Sequence, residues 1–181
     1  MDERIQRVMD NLIRNRMKPY FADRRTELYH IIGDLVKKDK LITSGGSMTL
    51  KESGVIDFLQ NEFGDVYLDR SAGKTPEEVE EILRKAFVSD TFLASSNAIT
   101  EDGELYNVDG KGNRVSAMIY GPKQVIIVAG VNKIVKDLRQ RSVWKSSPRL
   151  RTPCALTVRL RARKRASVCT AITLRVYAAR L

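Results

Sequence analysis

Residues 124–129 read Gln124-Val125-Ile126-Ile127-Val128-Ala129. Past the glutamine, an extended chain here is apolar on both faces. A strand of that kind belongs in the middle of a parallel sheet, covered by helices on either side. The flanking sequence supplies such helices. Asn113 is placed to cap a short one that ends at Gly121-Pro122, and Thr91–Ala94 predicts a further strand followed by a hairpin at Asp102-Gly103. Thr75-Pro76-Glu77-Glu78 has an N-cap threonine, proline in the first turn and a glutamate placed to close a capping box; Val79, Ile82, Leu83 and Ala86 are expected to face the core.

The N-terminal third repeats the alternation. Ile5, Val8, Met9, Leu12 and Ile13 predict a helix over 2–17, ended by Pro19, with a short strand at Tyr20–Ala22. Asp23 then caps a helix carrying Leu28, Ile31, Ile32, Leu35 and Val36. Strands at Leu41–Thr43 and Val66–Leu68 flank a helix expected over residues 50–60. Strands alternating with helices in this way predict an α/β fold, a mainly parallel sheet flanked by helices.

Composition narrows the function classes. The longest apolar run, Val125–Ala129, is far too short for a transmembrane helix. The opening MDERIQRVMD carries acids and lacks the apolar segment of a secretory leader, so a cytoplasmic location is expected. Two cysteines, Cys154 and Cys169, and one histidine, His30, support neither a disulfide framework nor a histidine-rich metal site, and no resident metal or cofactor is expected. The net charge of +10 is unevenly spread. Residues 1–137 hold 20 Lys and Arg against 22 Asp and Glu, whereas residues 138–181 hold 12 basic residues and no acid. The chain therefore divides into a nearly neutral domain, 1–137, and a basic tail, 138–181. The tail's Val158–Arg165 alternates apolar and basic residues, as an amphipathic strand or a nucleic-acid contact would, with a solvated basic tail as the competing reading. Almost no aromatic residues are interleaved for base stacking, so nucleic-acid binding is the least favoured function.

Two stretches have the composition of ligand loops. Thr43-Ser44-Gly45-Gly46-Ser47-Met48-Thr49 joins a strand to a helix. Gly45 and Gly46 allow close backbone approach to an anion, and Ser47 and Thr49 add hydroxyl donors. A plain tight turn is the competing reading, and the spacing fits neither a P-loop nor a dinucleotide fingerprint. Glu52 is placed to close a capping box with Thr49 rather than to act as a general base. The second stretch, Ser95–Asn113, contains Asn97, Asp109, Gly110, Gly112 and Asn113, without the spacing of a calcium loop. Asp109-Gly110-Lys111-Gly112-Asn113 lies between a strand and a helix start, where open α/β sheets bind ligands, and turn chemistry is the alternative. A small anionic metabolite touching both stretches is the binding expectation.

Thr43–Leu59, TSGGSMTLKESGVIDFL, and Lys74–Val135, which includes SSNAITEDGELYNVDGKGNRVSAMIYGPKQVIIVAGVNKIV, resemble the LUD domain of lactate-utilisation proteins. That domain is similar in turn to an α/β group containing ribose-phosphate isomerase and the CoA transferases. The resemblance implies that Thr43–Thr49 is the group's anion loop and that Asn97–Asn113 is the second ligand-side motif. Asn97 stands where the isomerases carry a catalytic aspartate, and an amide does not take up a proton as a carboxylate does. The resemblance further implies a part in oxidising L-lactate to pyruvate alongside iron–sulfur subunits. An isomerase or transferase acting on a phosphorylated or CoA-linked metabolite is the alternative.

Beyond Asp137 only islands of the family pattern remain, Thr152-Pro153-Cys154-Ala155 and Val168-Cys169. The resemblance implies two further cysteines between these islands, where this chain has TVRLRARKRAS; an out-of-frame stretch would account for the islands, the lost cysteines and the acid-free composition together. On this reading every sheet-forming segment precedes residue 138.

Overall fold

The structure, a computed structural model, describes residues 2–137, 156–160 and 169–174. Its main sheet has six strands: β1 (Lys18–Ala22), β2 (Ile42–Ser44), β3 (Tyr67–Leu68), β4 (Thr91–Ala94), β7 (Gln124–Gly130) and β10 (Cys169–Leu174). Their order across the sheet is β1-β10-β7-β4-β2-β3, and every neighbouring pair is parallel. A smaller sheet, β5 (Ala98–Thr100), β6 (Leu105–Asp109), β8 (Ile134–Val135) and β9 (Leu156–Leu160), runs in the order β8-β5-β6-β9.

The helices are α1 (Glu3–Arg14), α2 (Arg25–Val36), α3 (Met48–Glu52), α4 (Val55–Phe63), α5 (Pro76–Lys85) and α6 (Asn113–Ile119). Period-2 alternation in the central strands assigns them to layers. Val125, Ile127 and Ala129 of β7, with Phe92 and Ala94 of β4, pack with Ile5, Val8 and Leu12 of α1 and Ala117 and Met118 of α6. Ile126 and Val128, with Leu93 and Ile42, turn to the other face and meet Leu28, Ile32 and Val36 of α2, Leu50 of α3 and Val55 and Leu59 of α4. Both faces of β7 are thus buried, as residues 124–129 predict. Each fully buried Leu or Ile contributes about 1.5–3 kcal/mol by leaving water. The α/β architecture with a parallel main sheet is the one the sequence predicts.

Several local expectations are corrected. The helix expected over 50–60 is two helices. Between them Gly54 sits at φ +76°, and any Cβ there would run into the Tyr29 hydroxyl, which itself donates to the Ser53 carbonyl at 2.9 Å. Asp23 does not cap α2. Arg24 holds that position without a side-chain bond, and the Glu27 carboxylate accepts from the Asp23 N–H. Ser47, not a Thr49–Glu52 box, caps α3 by accepting from the Leu50 N–H at 3.3 Å. The box at Thr75 and Glu78 is present, yet Val79, Ile82 and Leu83 are only half-buried; of the four, Ala86, which directly follows α5, alone reaches the core.

The expectation that every sheet-forming segment precedes residue 138 fails. Strand β10 pairs with β1 on one side and β7 on the other, and β9 pairs antiparallel with β6. Cys169 begins β10, whereas Cys154 and Arg161–Val168 lie outside the described residues. No helix among the described residues is long and apolar enough to cross a membrane.

Candidate anion site at the carboxyl edge of the sheet

Strands β2, β4 and β7 all end on the same edge of the main sheet. Ser44 leads into Gly45-Gly46-Ser47, Ala94 leads into Ser95-Ser96-Asn97, and Gly130 leads into a single helical turn, Val131–Lys133. This is the edge at which open parallel sheets bind ligands.

Both glycines lie close against neighbouring side chains. A Cβ on Gly45 would lie 3.2 Å from the Phe92 ring and 3.5 Å from Cγ of Arg114. One on Gly46 would overlap the Arg70 guanidinium, which stands over the loop from the turn Arg70–Ala72. Arg70 is exposed and makes no side-chain hydrogen bond or ion pair among the described residues.

Arg114, the second residue of α6, organises the remainder. Its side chain is 12% exposed and pairs with the Asp109 carboxylate, which is 8% exposed, at 2.8 Å. Nε donates to Asp109 Oδ1, one terminal nitrogen to Asn107 Oδ1 and the Ser95 carbonyl, and the other to Asn97 Oδ1 and the Val108 carbonyl. All five guanidinium N–H groups are engaged, so Arg114 is a staple with no donor left for a ligand. Asn97 Oδ1 also accepts from the Val108 N–H at 3.0 Å, which leaves its Nδ2 as the free donor. Asp109 Oδ2 accepts from the Val115 N–H at 2.8 Å and caps α6 from outside the helix. Asn113 is therefore not the cap. Gly112 occupies that position, and Asn113 is the first helical residue.

Lys133 completes the edge. Its ammonium donates to Ser95 Oγ at 2.6 Å and to the Ser96 carbonyl at 2.8 Å, both uncharged acceptors. Burial, and then the neighbouring Arg114 charge, push its pKa down to about 8, against the opposing pull of Glu52. On the opposite side of the loop, Ser44 Oγ and the Tyr67 hydroxyl share a 2.8 Å hydrogen bond, and burial pushes that phenol up to about 12.

Of the expected site residues, Gly45 lies against the Arg114 stem, and Arg114 in turn binds Asn97 and Asp109. Ser47 is occupied as a cap, Thr49 lies within α3, and Gly110 faces open space. Sequence reasoning missed Arg70, Arg114 and Lys133. Arg114 directly follows the quoted Asp109–Asn113 motif, and Lys133 sits three residues past β7, so the strand-end rule that picked out Gly45 would have reached both. Arg70 carried no such signal, since only the fold brings its turn over Gly46. Among the described residues, no group of three or more His, Cys, Asp or Glu side chains is placed to hold a metal ion.

A parallel sheet with its polar groups gathered on the carboxyl edge defines an open α/β domain. The LUD domain family model matches residues 5–176, and the chain belongs to that family. Its match runs well past residue 137 and takes in β9 and β10. A crystal structure of a DUF162 family protein from Deinococcus radiodurans is similar in fold, with a TM-score of 0.63 at 14% identity, covering 95% of this chain and 96% of that one. No curated protein matches the chain.

Proposed function

We propose that this edge binds a short carboxylate metabolite, and that the chain serves as the small-carboxylate-binding component in the oxidation of L-lactate to pyruvate, working with iron–sulfur subunits. The carrying observation is the partly buried Lys133 ammonium, which has no carboxylate partner and sits beside a second cation. A cation so placed gains from an anionic ligand the direct charge-assisted contact that no carboxylate of the described residues gives it. In this reading the Arg70 guanidinium, exposed and unpaired, takes the carboxylate. Lys133 and Asn97 Nδ2 face the oxygen on C2, and Arg114 fixes Asn97 in place.

Calorimetric titration with L-lactate, pyruvate and inorganic phosphate tests the reading. The carboxylates are expected to bind. Replacing Arg70 with Ala removes a charge-assisted bond of about 1.5–3 kcal/mol, which corresponds to roughly a 10- to 150-fold loss of affinity. Gly46→Val is expected to weaken binding as well, because the new side chain displaces the Arg70 guanidinium from over the loop. Binding that is indifferent to both changes, or confined to phosphate, would refute the assignment. Turnover of a sugar phosphate or a CoA thioester by the pure protein would carry the isomerase or transferase alternative.

A further inference from the structure

We propose that Lys133 is a nucleophilic amine that condenses with the C2 carbonyl of a short 2-oxo acid and holds it as an imine. The inference rests on the carboxylate-binding reading and extends it from attraction to covalent capture.

The geometry sets Lys133 apart from the other lysines. Lys37, Lys85 and Lys123 each form an ion pair with an aspartate or glutamate, and every described lysine except Lys133 is exposed. Lys133 bonds only to neutral oxygens, in a partly buried position at the carboxyl edge, with the Arg114 guanidinium as its charged neighbour. Desolvation and an adjacent cation are the two conditions that turn a lysine from a point charge into a nucleophile. Arg114 supplies the cation without competing for the ligand, since its own donors are spent. Glu52, the other charged group that faces the amine, works in the opposite direction.

The step balances without an oxidant. The neutral Nζ lone pair adds to C2, and the carbonyl π pair moves to oxygen. A proton passes from nitrogen to that oxygen, and the Ser95 hydroxyl, 2.6 Å from Nζ, is positioned to relay it. The resulting carbinolamine loses water as the C–O bond breaks and the C=N bond forms. Arg70 keeps the carboxylate throughout. A 2-hydroxy acid has no C2 carbonyl and cannot follow this route, so the site would hold pyruvate and L-lactate by different means.

Incubating the full chain with pyruvate and sodium borohydride, followed by intact mass and peptide mapping, tests the proposal. The expected result is one adduct per chain on Lys133, with the mass of the free acid less one oxygen, and none with L-lactate. Its rate should rise with pH through about 8. Lys133→Arg, which keeps the charge, should lose the adduct while circular dichroism shows a folded protein, and Lys136→Arg should keep it. Adducts scattered over exposed lysines overturn the proposal. If calorimetry shows that both acids bind and nothing is trapped, the imine is wrong and the binding reading stands. If neither acid binds, both are wrong.

Discussion

Arg114 and Asp109 show how a buried pair can be structural and still shape a polar site. Deleting one partner strands the other, charged and out of water, at a cost of about 3–5 kcal/mol. Arg114→Met should therefore lower stability by that order in urea unfolding, and it should also free Asn97 Oδ1 and two backbone carbonyls, Ser95 and Val108, from their donor. A loss below about 1 kcal/mol, the range of an exposed pair, would contradict the burial of Arg114 and Asp109. Lys133 makes the opposite kind of prediction, one of pH. Its folded pKa lies below that of an unfolded lysine, so at neutral pH the native state carries the penalty of a protonated, desolvated amine. From about pH 8 to 10.5 the native state sheds this proton before the unfolded chain does, and stability rises through that window relative to Lys133→Met. Parallel stability–pH curves for the two proteins would show that the amine is not desolvated.

Gly54 separates α3 from α4 by geometry that no other residue meets without strain. Gly54→Ala meets both the left-handed backbone and the Tyr29 hydroxyl, and a loss of about 1–3 kcal/mol in thermal or urea unfolding is expected. If alanine is tolerated without cost, the break must come from elsewhere in the loop. This break also marks the limit of what the sequence made legible. Apolar spacing predicted Leu28, Ile32 and Val36 on one face of α2, and the same reasoning ran straight through Ser53-Gly54, because period alone does not register a reversal of φ at a single position. Capping shows a related limit. Thr75 and Glu78 close their box as predicted, since both partners are local. Asp109 caps α6 from six residues before Val115, and Asp23 is displaced by a competing Glu27 bond. The candidate site was legible where it follows a strand end, at Gly45, Asn97 and Asp109. It was illegible at Arg70, which reaches Gly46 through tertiary contact alone.

The division of the chain at residue 137, natural from charge, does not coincide with the sheet. Strand β10 lies between β1 and β7, so removing residues 138–181 would uncover the backbone edges of both. Such a truncation is expected to lose cooperative unfolding and to aggregate, since open strand edges invite pairing between molecules. A monomeric truncation with a single sharp transition would mean that β10 contributes little. The origin of the acid-free composition is a separate matter, which resequencing the gene over this region decides: an intact frame encoding the same residues removes the out-of-frame explanation.

The placement of β10 also dictates a timetable. Strand β1 is made early, yet its partner in the sheet is separated from it by roughly 150 residues, or roughly 7–30 s of synthesis at about 5–20 residues/s. Until residues 169–174 leave the ribosome, β7 has one finished side and β1 has none. The nascent protein must wait in that state with two strands available to chaperones or to other nascent chains. Final closure of the sheet is then a long-range event, of the kind that slows folding.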